Sequence, residues 1–189
     1  MTTPIVSPEI FDKLFNDDVE RYELVDGELQ AKPMVSIFHS LIMGWLPVLL
    51  HQQLDGEKLW LLVNPLAKIR EDHWRRPDIA VIRAEDAEPW KYVMPGHWPV
   101  LCVEIVSAPN QTVEELLEKC KLYHEQGVLY CWVIAPESQA AWTYHKGETP
   151  VWVSPLSGGE LSAGEISIKL VDLWVGLKNK RGNRTRDKD

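Results

Sequence analysis

Apolar residues in this chain fall mostly in short runs bounded by Gly, Pro, Asn or Asp, with two longer stretches of helical spacing among them. Short bounded runs read as strands, and recurrence near 3.6 residues reads as helix. Residues 22–29 have the form of a hairpin, because Asp26-Gly27 is a two-residue turn signal between flanking strands. Residues 34–53 read as a long helix capped by Ser36, with Ile37, Leu41, Trp45 and Leu49 on one face and Pro47 as a bend. Strands are predicted at 59–63, 66–69 and 79–82, with Glu71-Asp72-His73 as a hairpin tip and 84–97 as a loop. Residues 100–106, VLCVEIV, read as a buried strand. The helix after it puts Leu116, Leu117, Cys120 and Tyr123 on one stripe, with Lys119 beside it, and stops at Gly127. A strand at 130–134 ends at Pro136, a hairpin at 140–145 and 151–154 turns at Lys146-Gly147-Glu148, a strand spans 166–170, and 171–177 form a last helix or 3-10 turn. Pro8 opens a short helix over 9–15. Helices bracketing strands predict an α/β (α+β) fold with a central mixed sheet. Residues 1–9 read as a flexible arm, 10–177 as a single domain and 178–189 as a disordered basic tail.

Composition narrows this reading. At 189 residues and 45% hydrophobic, one domain can build a substantial core. The net charge is -8; the tail holds six Lys or Arg against two Asp, a net +4, so the remainder carries -12. That balance is not the footprint of a non-specific nucleic-acid coat, although it permits basic residues confined to one cleft. Nine tryptophans read as half-buried rings or as an oligomer surface. Cys102, Cys120 and Cys131 are odd in number, lack metal-ligand spacing and sit in apolar runs, so they read as buried free thiols in a reducing cytoplasm. No stretch is long and apolar enough for a membrane span, and no signal peptide is visible.

The candidate chemistry centres on a carboxylate inside an apolar strand. Glu104 lies mid-run, where a charge is costly unless it is paired or binds something. Asp78 precedes a second apolar run, and Lys119 lies on the helix that follows Glu104. Two acids and a lysine brought to one point suit a divalent metal acting on a phosphate. Asp78 and Glu104 would supply hard oxygen ligands for Mg2+ or Mn2+, with the Ile105 carbonyl as a third. Lys119 would orient water or offset developing charge, so its loss would remove turnover while sparing fold and metal binding. Lys121, rotated by about 200 degrees, would face away. Glu23 would reach in from the N-terminal hairpin. Lys68, Arg70, Arg75 and Arg76 form one basic cluster able to contact a phosphate backbone. Other residues carry less. Glu28 reads as surface, His39 as a capping or packing histidine, and Ser107 as a turn residue without a nucleophile elbow. The remaining histidines lack zinc spacing, and Gly158-Gly159 is no phosphate loop, so no organic cofactor is expected.

The stretches Tyr22-Glu23-Leu24-Val25-Asp26-Gly27-Glu28-Leu29, Arg76-Pro77-Asp78-Ile79-Ala80-Val81, Val103-Glu104-Ile105-Val106-Ser107, Lys119 with Tyr123, Gly127-Val128 and Tyr130 to Pro136 together resemble the Uma2 family over roughly residues 10–177. That family, long a domain of unknown function and abundant in cyanobacteria, looks like a branch of the PD-(D/E)XK nucleases. The resemblance implies a restriction-endonuclease-like fold and metal-dependent cleavage of DNA. Asp78 matches the aspartate of the first motif, Glu104 the acid of the second and Glu23 the N-terminal acid. Val106 stands where the superfamily usually has its lysine, and Lys119 matches a lysine moved to the following helix. Ser107-Ala108-Pro109-Asn110 departs from the usual Ser-Pro-Ser, Glu115 replaces an aspartate, Cys131 replaces a tyrosine, and Ala135 stands in place of an aspartate. A homodimer would let two sites cut two strands. The alternative is a non-catalytic, homo-oligomeric binding or assembly module that keeps the fold.

Overall fold

The structure, a computed structural model, describes residues 22–32, 34–70, 72–87, 93, 96–154 and 158–178. The arm, the helix expected over 9–15, Glu71, residues 88–92 and 94–95 of the 84–97 loop and residues 179–189 of the tail lie outside the described residues. Strands β1 (Tyr22–Val25) and β2 (Glu28–Ala31) form the expected hairpin. Asp26 and Gly27 both take positive φ there (50 and 81 degrees), the conformation a two-residue turn between twisted strands requires. Helix α1 (Ile37–His51) begins where Ser36 accepts a hydrogen bond from the His39 backbone N–H, and Pro47 lies inside it. It buries His39, Ile42, Leu46 and Leu50.

A six-stranded sheet runs in the order β10 (Val151–Val153), β9 (Ala140–His145), β8 (Tyr130–Ala135), β7 (Leu101–Ile105), β6 (Ile79–Arg83), β3 (Leu59–Val63). Only β7 and β8 pair in parallel in it. Helix α2 (Val113–Gln126) makes the crossover between them, as a parallel pair demands. A capping box between Thr112 and Glu115 starts α2, and Gly127 ends it at a φ of 119 degrees, which side chains rarely adopt. A second sheet orders β2, β1, β5 (His73–Arg75) and β4 (Ala67–Arg70). Strands β11 (Glu160–Ala163) and β12 (Ile166–Lys169) pair separately, and α3 (Leu170–Lys178) follows. The architecture is mixed α/β with helices on both faces of the central sheet, as the pattern predicts.

Alternation along the central strands sorts the core into two layers. Ile79, Val81, Leu101, Val103, Ile105, Trp132 and Ile134 face α1 and α3 in one cluster. Ile82, Cys102, Val106, Cys131 and Val133 face α2 in the other, with Leu116, Cys120 and Tyr123. Glu104 shares the parity of Cys102 and Val106, and so it points toward α2. Trp74, Trp132 and Trp174 are fully buried, whereas Trp45, Trp60 and Trp152 are exposed. All three cysteines are buried free thiols.

Several boundaries differ from the sequence pattern. Strand β4 starts at Ala67 rather than Leu66, whose side chain packs with Leu24 and Trp74 under the small sheet. Strand β5 begins at His73, inside the expected hairpin tip; three residues, HWR, are too short a run to stand out from the pattern. Strand β11 has no counterpart in the sequence pattern, because Glu160 and Ser162 dilute its one large apolar residue, Leu161. On α2, Leu117 is only half-buried, while Lys119 lies inside the buried stripe rather than beside it.

Candidate active site

The register of β6 against β7 builds the site. Ile79 pairs with Val103, so Asp78, one step before it, lies across from Glu104. The Asp78 backbone N–H donates to Val103 O, and its Oδ2 accepts from the Ile105 backbone N–H at 2.8 Å. N–H and C=O of one strand residue point the same way, so the Ile105 carbonyl is directed toward the Asp78 side of β7. Helix α2 crosses the same face and brings Lys119 and Tyr123 to Glu104. Tyr123 Oη donates to Glu104 Oε1 at 2.7 Å, and Lys119 Nζ lies 3.0 Å from Oε1 and 3.2 Å from Oε2.

The small sheet closes the cluster from above. Glu23 on β1 accepts from Lys119 Nζ at 2.7 Å, from Arg75 at 3.0 Å and from the Arg76 backbone N–H at 2.8 Å. Lys32, just past β2, donates to Asp78 Oδ1 at 3.1 Å, to Asn64 Oδ1 at 3.0 Å and to the Arg76 carbonyl at 3.3 Å. His39, on the first turn of α1, sets its Nε2 3.3 Å from Asp78 Oδ2. Three acids from three different elements therefore meet three cations and a histidine within a mostly buried volume.

Burial and pairing act on these groups in opposite directions. Burial pushes the Glu23 carboxyl up, but Lys119 and Arg75 outweigh it and hold it at about 2. Burial likewise opposes the Asp78 charge, and the His39 hydrogen bond with the Lys32 ammonium outweighs it, keeping Asp78 well below the usual carboxylate range. Glu104 is the exception. Its burial, aided by the nearby Asp78 and Glu23 charges, overcomes Lys119 and lifts it to about 7. Burial alone would lower Lys119, yet Glu104, Glu23 and Asp78 hold it far above its ordinary value, so it stays an ammonium. Burial and Glu104 hold the Tyr123 hydroxyl well up, so it remains a donor.

Of the residues expected from sequence, the structure brings together Asp78, Glu104, Lys119, Glu23 and Ile105. The basic cluster is divided. Arg76 is turned inward at 6% exposed and bonds the Asn64 carbonyl, Arg75 pairs with Glu23, and Arg70 pairs with Asp26 and Asp72 on the outer side of the hairpin. The Lys68 ammonium lies 5.2 Å from the centroid of the Trp74 ring. Only Arg75 of the three arginines lines the cleft above the cluster, an open space of about 480 Å³ that Glu23, Lys32, Lys119, Asn110 and Gln111 also border. Lys121 is exposed, as its helix phase requires.

Sequence reasoning missed Lys32 and Asn64 and read His39 as packing. Ser36 caps the helix as expected. The buried stripe, however, is His39, Ile42, Leu46 and Leu50 rather than Ile37, Leu41, Trp45 and Leu49, and the cap alone does not reveal that phase. Lys32 and Asn64 have no local signal, because Lys32 lies 46 residues from Asp78 and 32 from Asn64 along the chain.

Among the described residues no set of three His, Cys, Asp or Glu side chains is arranged to hold a metal ion. The donor chemistry nonetheless suits one. The Lys32 ammonium, a cation itself, sits on a carboxylate, an amide and a peptide oxygen, the hard donors that Mg2+ and Mn2+ prefer. Among the described residues no helix is long and apolar enough to cross a membrane.

Comparison with known proteins agrees with this architecture. The Uma2 family, described as "Putative restriction endonuclease", matches residues 8–170. Among solved structures the chain is similar to a "putative nuclease belonging to DUF820" from Anabaena variabilis ATCC 29413, at 19% identity and a TM-score of 0.74, over 89% of this chain and 97% of that one. At that identity the likeness speaks for the fold, which is restriction-endonuclease-like. No curated protein matches the chain.

Proposed function

The chain belongs to the Uma2 family, and from that membership we propose that it is a Mg2+- or Mn2+-dependent endonuclease that hydrolyses phosphodiester bonds of DNA. The observation that supports this reading is the register-opposed pair Asp78 and Glu104 with the Lys119 ammonium against Glu104, beneath an open cleft. Asp78, Glu104 and the Ile105 carbonyl would hold the ion, whose chemistry when bound is to polarise a phosphoryl oxygen and acidify water. Lys119, held as an ammonium, offsets charge on the transferring phosphoryl group or orients the attacking water. Glu23 fixes the Lys119 rotamer, Tyr123 fixes the Glu104 carboxylate, and His39 fixes Asp78. Arg75 at the cleft wall offers a phosphate contact.

Incubating labelled DNA and RNA in several strand forms with Mn2+ tests the reading. DNA should be cut, chelator should stop the cutting, and Asp78→Asn should slow it by about 100-fold or more. Cleavage that ignores chelator or survives in the Asp78→Asn variant removes the metal-nuclease reading. One observation favours the assembly-module alternative. All six carboxylate oxygens of Glu23, Asp78 and Glu104 already accept protein hydrogen bonds or ion pairs. Such a cluster also serves as a structural tie between the two sheets, in which case Asp78→Asn lowers stability without any metal-dependent change.

A further inference from the structure

We propose that Lys32 is a tethered cation that occupies, and competes for, part of the divalent-metal position at Asp78. This rests on the metal-dependent reading above and adds a control to that same site.

Three oxygens of different kinds converge on the Lys32 ammonium: Asn64 Oδ1 at 3.0 Å, Asp78 Oδ1 at 3.1 Å and the Arg76 carbonyl at 3.3 Å. An ammonium has three donors, and here each has its own acceptor. The acceptors are not incidental. Asn64 takes a left-handed backbone (φ 52 degrees), a conformation residues other than Gly, Asn and Asp avoid; its backbone N–H donates to the Asp78 carbonyl, and its side-chain amide oxygen faces Lys32. The Arg76 carbonyl is held between two ammoniums, Lys32 and Lys119 at 3.2 Å. A carboxylate, an amide oxygen and a peptide oxygen around one cation make the ligand set of a hard-ion site.

Charge leads to the same result. Counting the ion-paired side chains alone, Glu23, Asp78 and Glu104 are formally three negatives and Lys32, Lys119 and Arg75 three positives. A divalent ion added to a balanced cluster gains little net attraction. With Lys32 withdrawn the cluster is one charge more negative, and Asp78 Oδ1 and Asn64 Oδ1 lose this donor, while the Arg76 carbonyl keeps Lys119. Lys32 is free to withdraw: its side chain is 20% exposed against 6% for Asp78, and it borders the open cleft. Lys119 is not, because its side chain is 9% exposed and pinned by two carboxylates. Metal binding and ammonium binding at Asp78 Oδ1 therefore exclude each other, and the parent chain binds metal weakly.

Two measurements on the full chain test this. In calorimetric titration with Mn2+, Lys32→Met should bind at least tenfold more tightly than the parent, and adding Asp78→Asn to Lys32→Met should abolish the gain. Equal or weaker binding by Lys32→Met overturns the inference. If the parent still binds through Asp78 and Glu104, the metal-site reading stands without it; if neither parent nor variant binds Mn2+, both fall. The second measurement needs no variant. Reductive methylation read by mass spectrometry should label Lys32 faster when Mn2+ is present, because the displaced ammonium moves into the cleft, whereas labelling of exposed Lys58 should not change. Lys32 labelling that Mn2+ leaves unchanged or slows overturns the inference.

Discussion

Lys119→Ala should lose about 3–5 kcal/mol of folding stability, a loss large enough to unfold many domains of this size. A lysine acting only in the chemical step would leave the fold untouched, as the sequence alone leads one to expect. The structure argues otherwise. Lys119 Nζ is shared between Glu23 at 2.7 Å and Glu104 at 3.0 Å, with its side chain 9% exposed. Its removal takes the paired ammonium from buried Glu104 and leaves Oε2 without a donor, while Glu104 Oε1 keeps Tyr123, Glu23 keeps Arg75 and the Arg76 N–H, and the Arg76 carbonyl keeps Lys32. Urea denaturation in chelator at neutral pH measures the loss. A deficit below about 1 kcal/mol would mean that water reaches the carboxylates and that the pairing is not a buried one. The partner experiment is Lys119→Ala combined with Glu104→Gln. Neutralising the stranded acid should restore part of the loss, so the two changes are non-additive. Any missing cleavage in Lys119→Ala must then be separated from missing fold, and Lys119→Arg, which keeps the charge, is the better probe of the chemical step.

In chelator, the Glu23–Glu104 contribution to stability should peak near pH 4.5 and fall on either side. Glu23 sits at about 2 in the folded chain against an ordinary 4.5, so its contribution is complete above pH 4.5 and is lost as pH falls toward 2. Glu104 sits at about 7 against the same 4.5. Between those two values the unfolded chain releases the proton that the folded chain keeps, so stability falls as pH rises from 4.5 to 7 and is flat above. Each displacement amounts to about 3 kcal/mol over its window. Glu104→Gln removes the second window. Its denaturation midpoint should show no fall from pH 4.5 to 7, and at pH 8 it should exceed the parent in stability by on the order of 1 kcal/mol. Tyr123 and Lys119 can still donate to the Gln oxygen, and Lys119 keeps Glu23. A Glu104→Gln variant that is less stable at pH 8 and keeps the parent's slope would show that the ionised Glu104 is itself the stabilising partner.

What was legible in the sequence follows from how far each signal travels along the chain. Glu104 stands out because a carboxylate interrupts an apolar strand, and Lys119 because it lies beside the apolar stripe of the next helix and matches the displaced lysine that the family resemblance implies. The Asp26-Gly27 turn and the Gly127 stop are local chemistry, and both hold in the fold. Lys32 and Asn64 have ordinary local contexts. Their meeting depends on how the small sheet packs over β6, which no periodicity encodes. The arginines misled for the same reason. Adjacent residues on a strand point to opposite faces, so Arg75 reaches the cleft while Arg76 turns inward, and a run of like charge in sequence does not make one patch in space.

The cluster that ties the two sheets also fixes an order of assembly. Lys119 meets Glu104 across 15 residues of chain and Glu23 across 96. The entropy of closing a loop grows with the logarithm of its length, so the longer closure costs about 2 kcal/mol more before any contact repays it. The β7–α2 unit can therefore form its ion pair while Glu23 and Lys32 remain hydrated on a separate hairpin. Docking of that hairpin is what expels water from the acids and raises the electrostatic stakes, so it belongs to the late side of the folding barrier. Pulse-labelled hydrogen exchange that found β1 protected before α2 would reverse that order.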